Sequence, residues 1–161
     1  MAEPVSHLGF GALYERHARD VYRFALALTG KVEFAEDLTA EAFLRVWQAG
    51  ERVDQLTVRG YLIATVRNLI RSQYRREKRL VQMPDGMQSP PLDPNVHLEL
   101  ERVLRALDHL DPADREVLLM RAEGGLSYEE IAELTGLTEV AARSRAHRAR
   151  KRLTEALCQK K

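Results

Sequence analysis

The side chains best suited to bind a ligand are basic residues concentrated in two short stretches of the chain. Residues 59–80 contain seven basic side chains and one acidic one, and residues 143–161 contain eight and one. Groups at this density bind phosphates, and Arg also hydrogen-bonds guanine in the major groove of duplex DNA. The two stretches therefore predict two surfaces that contact nucleic acid.

The charge of the whole chain hides this pattern. With 25 Lys and Arg against 24 Asp and Glu in 161 residues, the net charge is only +1, which by itself argues against a nucleic-acid partner. The two basic stretches together carry +13, so the other 120 residues carry −12. Such segregation allows two cationic surfaces beside an acidic remainder that suits a protein partner.

Other kinds of site find little support in the sequence. The five His residues form no His-x-x-x-His pair, so we expect no metal, and no pattern indicates a cofactor or a catalytic nucleophile. The single cysteine, Cys158, cannot form a disulfide within the chain. No apolar run is long enough for a membrane span, and the N-terminus does not resemble a signal peptide. We therefore expect a cytoplasmic, non-catalytic protein with no direct membrane insertion.

The composition favours an all-α fold of two small domains. Charged residues make up 30% of the chain and aromatic residues only 6%, which favours helices over strands. Four of the six prolines lie within residues 81–94, where both helix and sheet are disfavoured. This segment predicts a linker between helical domains at 8–80 and 95–157.

The basic residues of the first domain fall on one face of a helix predicted over about 58–79. At about 100° per residue, Arg67, Arg71, Tyr74 and Arg75 share that face, and the opposite face is suited to a core. Guanidinium groups can pair with phosphates while an unpaired base stacks on the tyrosine ring. A solvated helix face explains the same charge run, and both explanations stay open at this point.

The second domain contains a helix-turn-helix pattern. Ser127 and Glu130 form a capping box, Gly136 permits a left-handed turn, and Thr138 caps the next helix. That last helix has a narrow seam, mostly of alanines, with basic residues on the rest of its circumference. Its first turns can enter a major groove, so DNA contact is favoured over a solvated basic tail.

In this order, the segments resemble the bacterial sigma factors of the extracytoplasmic-function group, the minimal members of the sigma-70 superfamily. LYERHARDVYRFALALTG and AEDLTAEAFLRVWQA are similar to the family's regions 2.1 and 2.2, and YLIATVRNLIRSQYRREKR to regions 2.3 and 2.4. The segment from ALDHLDPADREVLLM to RAHRARKRL is similar to region 4. The resemblance implies a specificity subunit of RNA polymerase, whose partners are core RNA polymerase, promoter DNA and an anti-sigma factor.

The resemblance also implies roles for individual residues. Core polymerase would dock on the region 2.2 helix at Asp37, Glu41, Phe43, Arg45 and Trp47, although core packing explains the two aromatic residues equally well. The melted minus-ten element would lie along Val53, Arg59, Tyr61, Arg67, Asn68, Arg71, Tyr74 and Arg75. The minus-thirty-five duplex would contact Arg143, Ser144, Arg145, His147 and Arg148, and its phosphates Arg121, Ser127 and Tyr128.

A second function is compatible with the same residues. An independent helix-turn-helix regulator would bind duplex DNA without polymerase, and a mobility-shift assay would distinguish it. An enzyme is the least supported class.

Overall fold

A computed structural model describes residues 9–52, 58–80 and 97–159 of the chain. These residues form α-helices and one 3-10 turn and contain no strand, which confirms the all-α prediction. The elements are α1 Phe10–Thr29, α2 Val32–Ala49, the 3-10 turn Gly50–Arg52, α3 Val58–Leu80, α4 Leu98–Asp108, α5 Pro112–Ala122, α6 Tyr128–Thr135 and α7 Glu139–Cys158. The linker predicted over 81–94 lies outside the described residues.

Helices α1, α2 and α3 pack on one another and form the first half of the molecule. The apolar stripe of α1 buries Val21 and Phe24, and the face of α3 opposite its basic residues buries Leu62 and Val66. Gly30 ends α1 in a left-handed conformation, with its N–H donating to the Leu26 carbonyl over 2.7 Å. A residue without a β carbon adopts this conformation at little cost, so the helix ends where the sequence predicts.

Helices α4 to α7 form the second half, and side-chain caps mark the starts of α5, α6 and α7. Asp111 accepts hydrogen bonds from the first backbone N–H groups of α5. Ser127 and Glu130 make the predicted reciprocal capping box at α6, over 3.1 and 3.0 Å. Gly136 is left-handed with φ 75°, and Thr138 caps α7. These contacts confirm the predicted helix-turn-helix.

The alanine seam of α7, formed by Ala142, Ala146 and Ala149, packs this helix against the rest of the second half. Ala142, Ala146 and Ala149 are fully buried, and α7 packs closely on α5 and α6. Because methyl side chains fill little space, the α7 backbone approaches its neighbours closely while its long basic side chains remain outside.

The two halves contact each other directly, which the sequence pattern did not predict. Helix α1 packs against α5, and Nε of Arg23 lies 2.9 Å from the Glu123 carboxylate. A β carbon at Gly124 would lie 2.6 Å from the Met120 carbonyl oxygen and 3.3 Å from Ile63 of the first half. Glycine at 124 therefore permits a close approach between α3 and the end of α5.

Candidate nucleic-acid interface

Helix α7 presents basic side chains on an open surface. The side chains of Arg143, Ser144, His147 and Arg148 are exposed, and Arg145 is half-buried. The last turns add further exposed cations at Arg150, Lys151 and Arg152. The positions predicted to contact minus-thirty-five DNA thus lie together on one helix, outside the alanine seam.

Two of these arginines share a buried carboxylate. Asp114 of α5 is 2% exposed and accepts hydrogen bonds from Nε and Nη2 of Arg148 over 2.9 and 3.0 Å. Nη1 of Arg145 donates to the same carboxylate over 3.3 Å. The hydrogen bond from Arg148 lowers the pKa of Asp114, against the opposing effect of burial. The carboxylate therefore stays ionised at neutral pH and links α5 to the outer face of α7.

The three residues predicted to contact phosphates lie near the start of α6. The Arg121 guanidinium lies 4.8 Å from the centre of the Tyr128 ring, and the Arg143 guanidinium lies 5.1 Å from it. Nη1 of Arg121 also donates to the Leu126 carbonyl, and the Ser127 hydroxyl accepts from the Glu130 N–H. Tyr128 therefore connects the α6 cluster to the first basic residue of α7 through two cation–π contacts.

The basic face of α3 is partly covered by the second half. Arg67 is ion-paired with Glu116 of α5, and its Nη1 donates to the Leu134 carbonyl of α6 over 3.0 Å. The Arg67 side chain is consequently 12% exposed, whereas that of Arg71, 3.5 Å from the same Glu116 carboxylate, is 55% exposed. The predicted basic face of α3 is therefore divided between contact with the second half and open solvent.

Four more of the positions predicted for minus-ten DNA, Arg59, Tyr61, Asn68 and Arg75, also lie on α3. Arg59 is 3.7 Å from the Asp20 carboxylate and lies against Gly125, where a β carbon would be 2.5 Å from its Nη1. Tyr61, Asn68 and Arg75 are exposed. Val53 lies outside the described residues.

Tyr74 lies at the boundary between the halves, where its side chain is 43% exposed. It lines a small cavity of about 30 Å³ with Leu104, Asp108 and Arg115 of the second half and residues 27–30 of the first. Burial raises the pKa of its hydroxyl, while Arg115 lowers it. One side of the ring therefore faces the second half, and the rest is exposed to solvent.

The residues predicted to dock on core polymerase divide into a buried and an exposed group. Phe43 is 2% exposed and contacts Phe10 and Tyr14 edge to face, with ring centres 6.2 and 4.8 Å apart. Trp47 is 40% exposed and contacts Phe10 at 5.1 Å. The ring of Phe43 therefore belongs to the core, and that of Trp47 is partly exposed.

The polar members of this group lie on the same helix. Asp37 and Arg45 are exposed, and Nε of Arg45 donates to Glu41 over 3.1 Å. Helix α2 thus presents a mixed charged surface beside one large aromatic ring.

The described residues contain no group of three or more His, Cys, Asp or Glu side chains arranged to hold a metal ion. Within the same part of the chain, no helix is long and apolar enough to cross a membrane. Cys158 is exposed at the end of α7.

Two residues that shape the interface were missed by the sequence analysis. Asp114 is separated from its arginines by 31 and 34 residues, and Glu116 is 49 residues from Arg67. In the sequence, Asp114 is an ordinary acidic residue in the first turn of a helix, where it interacts favourably with the helix dipole, and Glu116 lies on the next turn. No local spacing identifies these partners.

Comparison with known proteins gives matches in both halves of the chain. The family model described as Sigma-70 region 2 matches residues 13–80, and the one described as Sigma-70, region 4 matches residues 100–153. The ECF RNA polymerase sigma factor EcfG of Rhodopseudomonas palustris (strain TIE-1) is 34% identical over 144 residues, which cover 83% of this chain and 77% of the relative. The ECF RNA polymerase sigma factor SigE of Mycolicibacterium smegmatis (strain ATCC 700084 / mc(2)155) is 36% identical over 154 residues, which cover 90% of this chain and 60% of the relative.

A solved structure has the same fold. It is that of the sigma factor RpoE in complex with the anti-sigma factor NepR from Bartonella quintana. It is 26% identical in sequence and has a TM-score of 0.72, and the match covers 94% of this chain and 98% of the other.

Proposed function

The chain belongs to the extracytoplasmic-function (ECF) sigma factors of RNA polymerase, and we propose that its two basic surfaces divide the task of promoter recognition between them. It directs core RNA polymerase to specific promoters and initiates transcription. Region 4, formed by α4–α7, binds the minus-thirty-five duplex, and region 2, formed by α1–α3, holds the opened minus-ten element. Core RNA polymerase and promoter DNA are accordingly its partners.

The contact with the minus-thirty-five element is assigned to α7. Its alanine seam is buried against α5 and α6, so the basic side chains lie on the outer side of the helix, where they can enter a major groove. Arg143, Arg145 and Arg148 can donate pairs of hydrogen bonds to guanine, while the later cations bind phosphates. Ser144 and His147, on the same surface, supply shorter polar contacts.

The contact with the minus-ten element is assigned to α3 and requires a change of domain arrangement. Arg67 cannot bind a phosphate while Glu116 and the Leu134 carbonyl hold its guanidinium. One side of the partly exposed Tyr74 faces α4 and α5 in the closed arrangement. We propose that region 4 leaves α3 in the holoenzyme, so that DNA phosphates replace the Glu116 carboxylate beside Arg67 and Arg71.

Docking on core polymerase is assigned to α2. Trp47 supplies the aromatic ring and the exposed Leu44 an apolar neighbour, surrounded by Asp37, Glu41 and Arg45. A large half-exposed ring inside a charged rim is typical of the residues that dominate protein–protein affinity. Phe43 supports this surface from beneath.

The remaining parts of the proposal concern the setting in which the protein acts. An anti-sigma factor is proposed as an inhibitory partner, because the Bartonella quintana relative forms such a complex. Sigma factors are specificity subunits of RNA polymerase, and we propose that this one has no catalytic activity of its own and acts in the cytoplasm, where transcription takes place.

The observation that carries this function is the pairing of a region 2 fold with a region 4 fold in one chain, each with a basic helix. A stand-alone regulator needs only the helix-turn-helix, so the three helices of region 2 would have no use in it. This alternative is therefore not favoured.

Run-off transcription with core RNA polymerase over a promoter library tests the proposal. We expect new promoter-specific transcripts on addition of the protein, together with a stable complex with core polymerase. Tight duplex binding without polymerase, with no new transcripts and no such complex, would support the independent regulator instead.

A further inference from the structure

The buried carboxylate of Asp114 lies directly behind two arginines of the proposed DNA-reading face. It is at the third position of α5, and no other carboxylate of the described residues pairs with Arg145 or Arg148. Its side chain is almost fully enclosed, whereas that of Arg148 is half exposed. The ion pair therefore extends from the interior of region 4 to its surface.

The geometry of the pair leaves donors available for DNA. Arg148 donates from Nε and Nη2, the two nitrogens along one edge of its planar guanidinium group, to the two carboxylate oxygens. A guanidinium has five N–H groups, so this contact leaves three of them for another acceptor. Arg145 uses only Nη1 at Asp114, which leaves its other nitrogens for a second ligand. Both arginines are thus fixed at one side and able to donate at the other.

We infer that Asp114 is a positioning residue for minus-thirty-five recognition, which holds Arg148 and Arg145 in the orientation that reads base edges. The inference rests on the function proposed above. An arginine side chain loses much rotamer freedom when it binds, and a partner that has already fixed it removes that loss. Because an unpaired buried carboxylate is costly, the pair stays formed in free protein and holds the fork in one orientation.

A second consequence concerns binding to arbitrary DNA. Asp114 offsets one positive charge on a strongly cationic helix. It also restricts two guanidinium groups that would otherwise be able to bind phosphates of any DNA sequence. Loss of its charge should therefore leave non-specific binding unchanged or stronger while base discrimination falls, since phosphate contacts require charge and base contacts require orientation.

The test uses the full chain in holoenzyme and a promoter library randomised across the minus-thirty-five element. Asp114→Asn keeps the size of the side chain and removes its charge, and we expect discrimination at one or two base pairs to fall about tenfold. Asp108→Asn is the matched control. Asp108 also pairs with an arginine inside region 4, Arg115, over 3.0 Å, but that arginine lies on α5 and not on α7. This control should leave the base preference unchanged.

Arg148→Lys provides an independent measurement that does not alter the buried position. Lysine keeps the charge but cannot span both carboxylate oxygens, so the same base preference should be lost. If the two residues act as one unit, the double variant Asp114→Asn with Arg148→Lys loses no more discrimination than Arg148→Lys alone.

Each outcome has a distinct meaning. Equal loss of specific and non-specific affinity in Asp114→Asn, in step with a lower melting temperature, would show that Asp114 only holds α5 to α7 and would overturn the inference. An unchanged base preference in Asp114→Asn would overturn it as well, whatever the result for Arg148→Lys. Failure of the wild-type holoenzyme to give promoter-specific transcripts would instead contradict the proposed function.

Discussion

The guanidinium of Arg67, on α3, is paired with the carboxylate of Glu116, on α5, across the contact between the two halves of the molecule. The two side chains are only 12% and 17% exposed, and the same carboxylate lies 3.5 Å from Arg71. An acidic group of region 4 thus occupies the position beside both arginines where we place a DNA phosphate. The described structure is a closed form in which region 4 covers part of the proposed minus-ten surface.

Removal of the Glu116 charge is expected to shift the free protein toward open forms. Glu116→Gln weakens a charge-assisted contact worth about 2 kcal/mol, which changes the ratio of closed to open molecules about 30-fold. The distance between the halves can be followed by energy transfer between dyes on Cys158 and on Ala40→Cys, which are exposed on α7 and α2.

Glu139→Gln is the control for this experiment. Glu139 pairs with Arg143 within α7, so the change removes one carboxylate and one ion pair without touching the contact between the halves. Equal energy transfer in wild type and Glu116→Gln would contradict a role of this pair in holding the closed form.

The two basic surfaces should respond differently to loss of one arginine. Arg143→Ala is expected to relax minus-thirty-five preference by about 1–3 kcal/mol at individual bases, because base contacts carry sequence information. Arg71→Ala is expected to slow strand opening about tenfold with little change in duplex choice, as its exposed guanidinium is assigned to the melted strand. Transcript sequencing measures the first effect, and permanganate reactivity of unpaired thymines measures the second.

Arg105→Ala serves as the reference variant here, since Arg105 pairs with Glu101 on α4 and lies on neither surface. If Arg143→Ala and Arg71→Ala produce the same loss of simple duplex affinity, the assignment of separate roles is wrong.

Substitutions of Phe43 and Trp47 are expected to have separate effects, the first mainly on the stability of region 2 and the second mainly on the affinity for core polymerase. Phe43→Ala opens a cavity in the core of region 2 and is expected to lower the free energy of unfolding by about 3–5 kcal/mol. Trp47→Ala removes one edge-to-face contact with Phe10 and should cost about 1 kcal/mol. Affinity for core polymerase should nevertheless fall more in Trp47→Ala than in folded Phe43→Leu, as measured by titration with core polymerase. The opposite order of affinities would assign the docking surface elsewhere.

The stability of region 2 is expected to fall in mild acid because of His17. This side chain is buried, its Nδ1 has no hydrogen-bond partner among the described residues, and burial lowers its pKa below 6.5 with help from Arg59 and Arg16 against Asp20. The unfolded chain therefore binds the proton more readily than the folded one. The free energy of unfolding is therefore unaffected by His17 above about pH 6.5, and it decreases as the pH falls from there toward the pKa of His17 in the folded protein.

Urea unfolding at a series of pH values between 5 and 8 measures this effect. His17→Leu cannot bind the proton and should show a flatter pH dependence, whereas His147→Gln, at an exposed position of α7, should behave as wild type. Parallel curves for wild type and His17→Leu would exclude His17 as the cause.

Much of the fold follows from local sequence signals. The caps at Asp111, Ser127 and Thr138 and the left-handed glycines at 30 and 136 each involve residues only a few positions apart. The helical period likewise identifies the alanine seam of α7, because side chains on one stripe share one environment. Such features can be predicted since both partners lie within the same few turns of chain.

The candidate site was predicted less completely. Helical spacing placed Arg67 and Arg71 on one basic face, but only the contacts of Glu116 and the Leu134 carbonyl with Arg67 show that the first is largely covered and the second exposed. The same spacing left the roles of Phe43 and Trp47 undecided, and the packing of α1 on α2 buries one ring and exposes the other.

By itself, the sequence determined an all-helical chain with two cationic surfaces on an acidic background, and the helix-turn-helix that carries one of them. Only the tertiary structure decided which charged side chains are held in ion pairs and which remain available to a ligand. Asp114 fixes Arg148 from within region 4, and Glu116 holds Arg67 across the two halves. The reason is physical: an ion pair depends on the distance between its atoms, and these partners are 34 and 49 residues apart in the chain, where no local periodicity relates them.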